Sequence, residues 1–135
     1  MVNKMRHSLV VQDHMSAALV TFTPDMDVTQ AIHLLLENHI SGGPVTDKLG
    51  NVVGFLSERD CMEVALRAAY HEEKGGRVEQ YMTPNAVTVE ADQNVLEVAQ
   101  IFRNTSFNAL PVLEDNRLVG SIRRADVLKA FQSIR

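Results

Sequence analysis

An internal repeat is the feature that most limits how this chain can fold. Shifting the first half of the sequence by 67 positions superposes identical residues: Met15 on Met82, Val20 on Val87, Thr21 on Thr88, Asp25 on Asp92, Val28 on Val95, Pro44 on Pro111 and Val45 on Val112. After a single deletion the shift becomes 66 and superposes Val53 on Val119, Gly54 on Gly120 and Asp60 on Asp126. Agreement over this length with one gap indicates two copies of one structural unit.

The spacing of apolar residues and the turn residues in each copy predict the order strand, helix, strand, strand, helix. The elements of the first copy are a strand at 19–22, a helix from Val28 to about Asn38, strands at 44–46 and 52–56, and a helix from about Glu58 to Tyr70. Those of the second are strands at 86–89, 109–113 and 117–122, a helix from Val95, and a closing helix marked by Val127, Leu128 and Phe131. Asp27 and Asn94 each open a predicted capping box, and Leu36 is expected on a buried face.

One copy alone is too small to bury two helix faces and a sheet face. The sequence therefore predicts an α+β fold, in which two β-α-β-β-α repeats pack sheet to sheet with pseudo-twofold symmetry. The charged segment around Gly75 and Gly76 lacks apolar periodicity, so it is interpreted as a linker. The expected boundaries are an N-terminal lead at 1–10, repeat 1 at 11–70, the linker at 71–77 and repeat 2 at 78–135.

Composition narrows the functional class. The chain has 135 residues, of which 45% are hydrophobic and 22% are charged, as expected for a globular protein. Its formal net charge of -4 argues against nucleic-acid binding through overall charge. The apolar stretch after the N-terminus is too short for a signal peptide, and no window is long enough to span a bilayer. With a single cysteine, Cys61, a disulfide framework is excluded, and a soluble, cytoplasmic protein is expected.

The strand-to-helix junctions are the candidate sites, because a helix N-terminus offers free N–H groups to an anion. At the first junction Ser57 adds a hydroxyl, and the carboxylate of Asp60 suits the vicinal hydroxyls of a ribose. The alternative is that Ser57 and Asp60 form only a capping box for their own helix. The second copy favours a functional role, because Arg123 is a poor N-cap and yet Asp126 keeps its position.

With these residues in place, the chain resembles the cystathionine-β-synthase (CBS) domain family, specifically a tandem CBS pair or Bateman module. The resemblance covers roughly residues 11–131, and its marks are the Met82-Thr83-Pro84 segment, the two Pro-Val strands and the Gly-to-Asp pattern of the junctions. It implies a regulatory module without catalytic activity. Such modules bind adenosine-containing ligands such as AMP, ADP, ATP or S-adenosylmethionine in clefts between the repeats. They commonly form homodimers through their helices and signal to a separate protein.

The resemblance also implies which residues bind the ligand. Asp60 and Asp126 would hold ribose, and Ser57 would contact ribose or phosphate. The base pockets would be lined by Val20, Thr21, Gly43, Pro44, Val45, Val87, Thr88, Ala109, Leu110, Pro111 and Val112. Positive charge from Arg59, Arg123 and Arg124 favours phosphorylated ligands, although arginines at helix starts often lie simply in solvent.

Arg123 departs from the family pattern, which expects Ser or Thr at this position. A guanidinium there would either bind a phosphate in a bidentate manner or fill the pocket. The competing hypothesis for the whole chain is a ligand-free dimerisation scaffold, in which Ser57 and Asp60 cap a helix and Arg123 occludes the second cleft. The five histidines lack metal-ligand spacing, and Cys61 is expected to pack rather than react. No nucleophile or acid/base constellation indicates an enzyme.

Overall fold

The computed structural model of the chain describes residues 8–72 and 75–133. The described α-helices are α1 (Val28–Glu37), α2 (Glu58–His71), α3 (Val95–Asn104) and α4 (Arg124–Ser133), and short 3-10 helices span Val11–Asp13 and Val78–Gln80. The strands are β1 (Gly42–Thr46), β2 (Val52–Ser57), β3 (Thr83–Pro84), β4 (Val89–Glu90), β5 (Ala109–Glu114) and β6 (Arg117–Arg123). The α+β class is therefore confirmed. Residues 1–7 of the predicted lead, and Glu73 and Lys74 of the predicted linker, lie outside the described residues.

The strand predicted at 19–22 is wrong, because only Phe22 has a strand partner. Phe22 bridges Val45 in parallel: its N–H donates to the Pro44 carbonyl at 3.0 Å, and its own carbonyl accepts from the Thr46 N–H at 2.8 Å. Pro24 follows shortly afterwards and has no N–H to extend a ladder. The strand predicted at 86–89 is likewise shorter and later, at β4. Local β-propensity indicated strand character near these segments but could not show how few of their residues are paired.

The predicted capping boxes at Asp27 and Asn94 are single caps. The Asp27 carboxylate accepts from the Thr29 N–H at 2.9 Å and the Thr29 hydroxyl at 2.7 Å, and Asn94 accepts from the Leu96 N–H at 2.7 Å. Hydrogen bonds from the Thr29 side chain, and then from its N–H, lower the pKa of Asp27. Both helices begin where the sequence predicts, without the reciprocal bond of a full box.

The two sheets share one topology. In the first, β1, β2 and β3 pair antiparallel in that order, and the Phe22 bridge adds one parallel residue beside β1. In the second, β4 pairs parallel with β5, which pairs antiparallel with β6, and Ser16 forms an antiparallel bridge to Ser121 of β6. One edge of each sheet is therefore formed by a segment from the start of the other repeat.

A segment at the start of each repeat, 11–19 or 78–86, belongs to the same compact unit as the body of the other repeat, so the two units differ from the repeats of the sequence. These two are called the exchanged segments. Among the described residues, one unit comprises 20–72 and 75–86, and the other combines 8–19 with 87–133. The hydrogen bonds that hold the exchanged segments are related by the 67-residue shift. In the first unit the N–H groups of Val28, Val78 and Glu79 donate to the carbonyls of Gly76, Met26 and Pro24 at 2.8, 2.9 and 2.9 Å. In the second unit the N–H groups of Val95, Val11 and Gln12 donate to the carbonyls of Leu9, Gln93 and Ala91 at 2.6, 2.9 and 2.9 Å.

Each unit has its own core, and each core includes one fully buried valine from an exchanged segment. Val78 packs with Phe22 and Leu56 in the first unit. Val11 packs with residues of β5 and α3 in the second. The exchanged segments are therefore part of the cores rather than surface additions. No helix within the described ranges is long and apolar enough to cross a bilayer.

Leu36, which the sequence predicts on a buried face, is exposed, and so are two apolar residues of α4. Leu36 of α1 is 63% exposed, and Leu128 and Phe131 of α4 are 67% and 58% exposed. The predicted positions Val28 and Val127 are buried. The apolar stripe of these helices is wider than the face that the chain itself covers, which leaves apolar surface exposed.

Candidate functional site

The first strand–helix junction is built by a reciprocal capping box at the end of β2. The Asp60 N–H donates to Ser57 Oγ at 3.1 Å, and Asp60 Oδ2 accepts from the Ser57 N–H at 2.9 Å and from the Ser57 hydroxyl at 3.0 Å. The capping interpretation of these residues is therefore confirmed. The same bonds fix the orientation of the carboxylate, so they do not by themselves exclude a ligand.

The second carboxylate oxygen of Asp60 points to the exchanged segment. Asp60 Oδ1 accepts from the Thr83 hydroxyl at 3.3 Å, a long hydrogen bond from the neighbouring strand β3. A carboxylate has about four lone-pair sites, so this half-buried group can accept a further hydrogen bond. Thr83 is not among the site residues that the sequence predicts, although it belongs to the Met82-Thr83-Pro84 segment on which the family resemblance rests.

The start of α2 offers fewer free donors than the sequence suggested. The Glu58 N–H donates to the Ser41 carbonyl at 2.8 Å, and the Asp60 N–H is bound to Ser57. Two of the first three helical N–H groups are thus used within the fold. The side chain of Arg59 is exposed and lies on the same turn as these groups. An anion at this junction would therefore depend more on Arg59 than on the helix terminus.

The predicted pocket residues of the first unit lie around the start of β1. Gly42 pairs with Ser57 across the hairpin, which places Gly43 next to the junction. The Val20 carbonyl oxygen would lie 2.8 Å from a Cβ atom at Gly43, so those two predicted residues touch. Thr21 is exposed, Gly43 and Pro44 are buried, and the Val45 side chain packs into the core. Val45 can therefore offer a ligand only its backbone.

The second junction is held by an ion pair instead of a serine. Asp126 Oδ2 accepts from the Arg123 N–H at 2.8 Å, as Asp60 does from Ser57. The Arg123 guanidinium then donates Nε to Oδ2 at 3.4 Å and Nη2 to Oδ1 at 3.3 Å. A guanidinium has no acceptor, so Arg123 cannot bind the N–H of Asp126 in return. Asp126 is only 6% exposed.

The Arg124 side chain is bound to backbone carbonyls of its own unit. Its Nε donates to the Phe107 carbonyl at 2.9 Å, and its Nη2 donates to the Phe102 and Thr105 carbonyls at 3.1 and 2.9 Å. The guanidinium carbon also lies 5.7 Å from the centroid of the Phe102 ring. These carbonyls belong to the end of α3 and the segment after it, where a cation satisfies free acceptors. Its predicted role in ligand binding has no support from these contacts and stays a prediction.

The other predicted residues of the second unit lie along β4 to β6. Ala109 pairs with Arg123 across the hairpin, which places the start of β5 beside the second junction. Leu110 and Val112 are core residues, and Pro111 is buried. Val87 is 41% exposed, and Thr88 is half-buried. The hairpin geometry therefore matches that of the first unit, while the junction chemistry differs.

Cys61 follows directly after Asp60 and is buried in the core of the first unit. Burial, followed by the neighbouring carboxylates of Asp60 and Glu58, raises the pKa of its thiol to about 11. Any lowering by the helix start is therefore outweighed, and the group is suited to packing rather than to nucleophilic attack. Among the described residues, no group of His, Cys, Asp and Glu side chains could hold a metal ion.

Comparison with known proteins decides the family. The model of the CBS domain matches residues 11–67 and again residues 78–133. The chain belongs to the CBS domain family. This CBS pair is 32% identical over 129 residues to a CBS domain-containing protein of Dictyostelium discoideum, and the match covers 89% of both chains. It spans only 43% of a related protein of Methanocaldococcus jannaschii and 23% of the inosine-5'-monophosphate dehydrogenase of that organism.

Solved structures show the same fold. The CBS pair superposes on CBSX2 of Arabidopsis thaliana in complex with AMP with a TM-score of 0.81 and 30% identity, covering 94% of this chain and 98% of that one. It superposes on the CBS domain pair of protein MJ0100 with a TM-score of 0.77 and 26% identity, covering 93% and 98%. That structure contains 5-methylthioadenosine and S-adenosylmethionine. Both structural relatives therefore bind adenosine-containing ligands.

Proposed function

We propose that this CBS pair is a non-catalytic regulatory module that binds an adenosine-containing ligand, one of AMP, ADP, ATP or S-adenosylmethionine. The proposal rests on the fixed orientation of the Asp60 carboxylate and on its remaining capacity to accept a hydrogen bond. Its carboxylate is held at the end of β2 by the capping box, and Oδ1 accepts only a long bond from Thr83 among the hydrogen bonds described. A fixed acceptor of this kind suits the vicinal hydroxyls of ribose. The likeness to solved CBS pairs that hold AMP or S-adenosylmethionine supports the ligand class.

The other residues of the first junction would contact the base or a phosphate of the ligand. The backbone of Val20 and Gly43 lies close to the Ser57 end of β2 and would face the base, with Thr21 and Pro44 beside it. The exposed cation of Arg59 would face a phosphate. Because the capping box already fixes Asp60, little side-chain entropy is lost when the ligand binds.

Asp60→Ala is expected to weaken ligand binding by about 10- to 100-fold, since it removes a hydrogen bond from ribose to a charged acceptor. Calorimetric titration with AMP, ATP and S-adenosylmethionine measures this loss. Asp27→Ala is the matched control, because it removes a helix cap in the same unit without touching the junction. Binding of equal strength in Asp60→Ala and the unmodified chain would reject the ribose contact.

A ligand-free scaffold is the second candidate, and the capping box and the Arg123–Asp126 pair favour it, because both satisfy the junctions without a ligand. Thermal denaturation separates the two candidates. A binder at one hundred times its Kd gains about 2.7 kcal/mol of stability, which raises the melting temperature by several degrees. A scaffold shows the same melting temperature with and without each nucleotide.

Regulation would act on a separate protein through a change in population. Ligand binding favours one arrangement of the module by no more than its differential affinity for the two arrangements. The existence of a separate regulated protein and a cytoplasmic location are predictions that rest on the sequence. The proposal requires that AMP or S-adenosylmethionine change the affinity of the module for that partner.

We also propose that the chain forms a homodimer through exposed apolar helix faces. Met62, Leu66 and Tyr70 recur every fourth residue along α2 and are 58%, 50% and 77% exposed. In α4, Leu128 and Phe131 form an exposed apolar pair, and Leu128 is the repeat equivalent of Met62. Apolar helix stripes that the chain itself leaves uncovered favour association with a second copy.

Leu66→Lys is expected to raise the dimer dissociation constant by about 10- to 100-fold, because it places a charge in an apolar contact. Light scattering coupled to size-exclusion chromatography, over a range of concentrations, measures the shift to monomer. Ala68→Lys is the control, since Ala68 is an exposed residue of the same helix that lies off the apolar stripe. An unmodified chain that is monomeric at all concentrations would reject the dimer.

A further inference from the structure

We infer that Arg123 locks the second junction, so that each chain binds one ligand at Asp60 and none at Asp126 while the Arg123–Asp126 pair is formed. The inference rests on the proposed function, because it concerns which of the two duplicated junctions is open. It also decides between the two roles that the sequence left open for Arg123. The lock is a difference between two halves of one chain that otherwise share their hydrogen bonds.

The two junctions differ in what surrounds the carboxylate. Asp60 receives both side-chain and backbone bonds from Ser57 on Oδ2, which leaves only the long Thr83 bond on Oδ1. Asp126 receives Arg123 on both oxygens, with the backbone N–H and Nε on Oδ2 and Nη2 on Oδ1. Each carboxylate thus accepts three hydrogen bonds, and the Oδ1 bond is 3.3 Å long in both. The difference is the donor on Oδ1, which is a neutral hydroxyl at Asp60 and a charged guanidinium at Asp126.

The different exposure of the two side chains shows that Arg123 lies between Asp126 and the solvent. The side chain of Asp126 is 8% exposed and that of Arg123 is 58% exposed, with 3.3 Å between Oδ1 and Nη2. Because the Arg123 side chain is exposed while the carboxylate to which it is bonded is buried, the arginine lies on the solvent side of that carboxylate. A ribose can then reach Asp126 only after the ion pair breaks. Breaking the pair is costly, because it leaves a buried carboxylate without its charged partner.

The same geometry disfavours a phosphate-binding role for Arg123. A bidentate contact with phosphate through Nε and Nη2 would use the N–H groups that the guanidinium now directs at Asp126. Turning that fork to a phosphate would leave a buried carboxylate unpaired. Arg59, the exposed cation at the start of α2, has Ala125 as its repeat equivalent, so the second junction also lacks that charge.

The test is the number of ligands bound per chain. Arg123→Ser restores the residue of the first junction, and its hydroxyl can rebuild the capping box with Asp126. Calorimetric titration with AMP, ATP and S-adenosylmethionine in turn is expected to give one site per unmodified chain and two per Arg123→Ser chain. Asp60→Ala combined with Arg123→Ser is expected to keep one site. Arg117→Ser removes an exposed arginine from the same strand and is expected to keep the unmodified count.

Each outcome decides the inference. Two sites in the unmodified chain, or one site in both proteins, would overturn the lock and leave the proposed function intact. One site that appears only in Arg123→Ser would uphold the lock and reject binding at Asp60. No binding by either protein would overturn both proposals. Arg123→Thr, which also offers a capping hydroxyl, replaces Arg123→Ser if circular dichroism shows that the serine variant is unfolded.

Discussion

Val11→Asp is expected to lower the free energy of unfolding by about 4 kcal/mol, a large part of the roughly 5–15 kcal/mol that is typical of a folded protein. Val11 lies close to the start of the chain, yet its side chain is fully buried in the core formed with β5 and α3. The substitution places a carboxylate without a partner in an apolar core. Urea denaturation followed by circular dichroism measures the change.

Gln12→Asp is the control for Val11→Asp, because Gln12 is the exposed neighbour and its N–H bond to Ala91 comes from the backbone. It should change stability by less than about 0.5 kcal/mol. Val78→Asp tests the symmetry of the exchange, since Val78 is equivalent to Val11 and is fully buried in the other core. A loss at Val78 without one at Val11 would show that the N-terminal segment is not part of the second core.

The elements that the sequence predicted well are those set by local chemistry. The hairpins and the starts of the helices depend on turn residues and caps, so they can be recognised within a few positions. Asp27 and Ser57, for example, precede their helices in both the prediction and the structure. The family resemblance was confirmed for the same reason, because its marks lie on these repeated local patterns.

The exchange of segments could not be predicted because it depends on pairing between distant residues. Nothing in the residues around Ser16 indicates a strand, and its pairing with Ser121 exists only in the folded unit. The site shows the same limit. The Ser57–Asp60 box follows from a spacing of three residues, whereas the contact of Thr83 with Asp60 joins residues 23 positions apart. The direction of the Arg123 side chain likewise required the structure.

Gly120→Val is expected to lower the free energy of unfolding by about 3 kcal/mol, because the exchanged segment crosses β6 at this glycine. A Cβ atom there would lie 2.6 Å from the Ser16 carbonyl oxygen and 2.8 Å from Met15 Sδ. A methionine side chain can move away, but a backbone oxygen paired with Ser121 cannot move without loss of the bridge. Thermal denaturation of Gly120→Val measures the effect, and adding Met15→Ala is expected not to rescue it.

Ser121→Val is the matched control, since it adds a β-branched side chain to the next position of β6, on the opposite face of the strand. It should cost less than about 1 kcal/mol. A melting temperature for Gly120→Val equal to that of the unmodified chain would contradict the crossing.

Gly54→Val links this crossing to function. A Cβ atom at Gly54 would lie 2.9 Å from the carbonyl oxygen of Thr83, whose hydroxyl bonds to Asp60. Moving that segment disturbs the open junction, whereas Gly120→Val disturbs the unit that contains the locked one. In those Gly54→Val and Gly120→Val molecules that remain folded, ligand affinity is therefore expected to fall only for Gly54→Val. The duplicated glycine thus has one structural role in both units and a functional consequence in one, because Ser57 and Arg123 made the two junctions different.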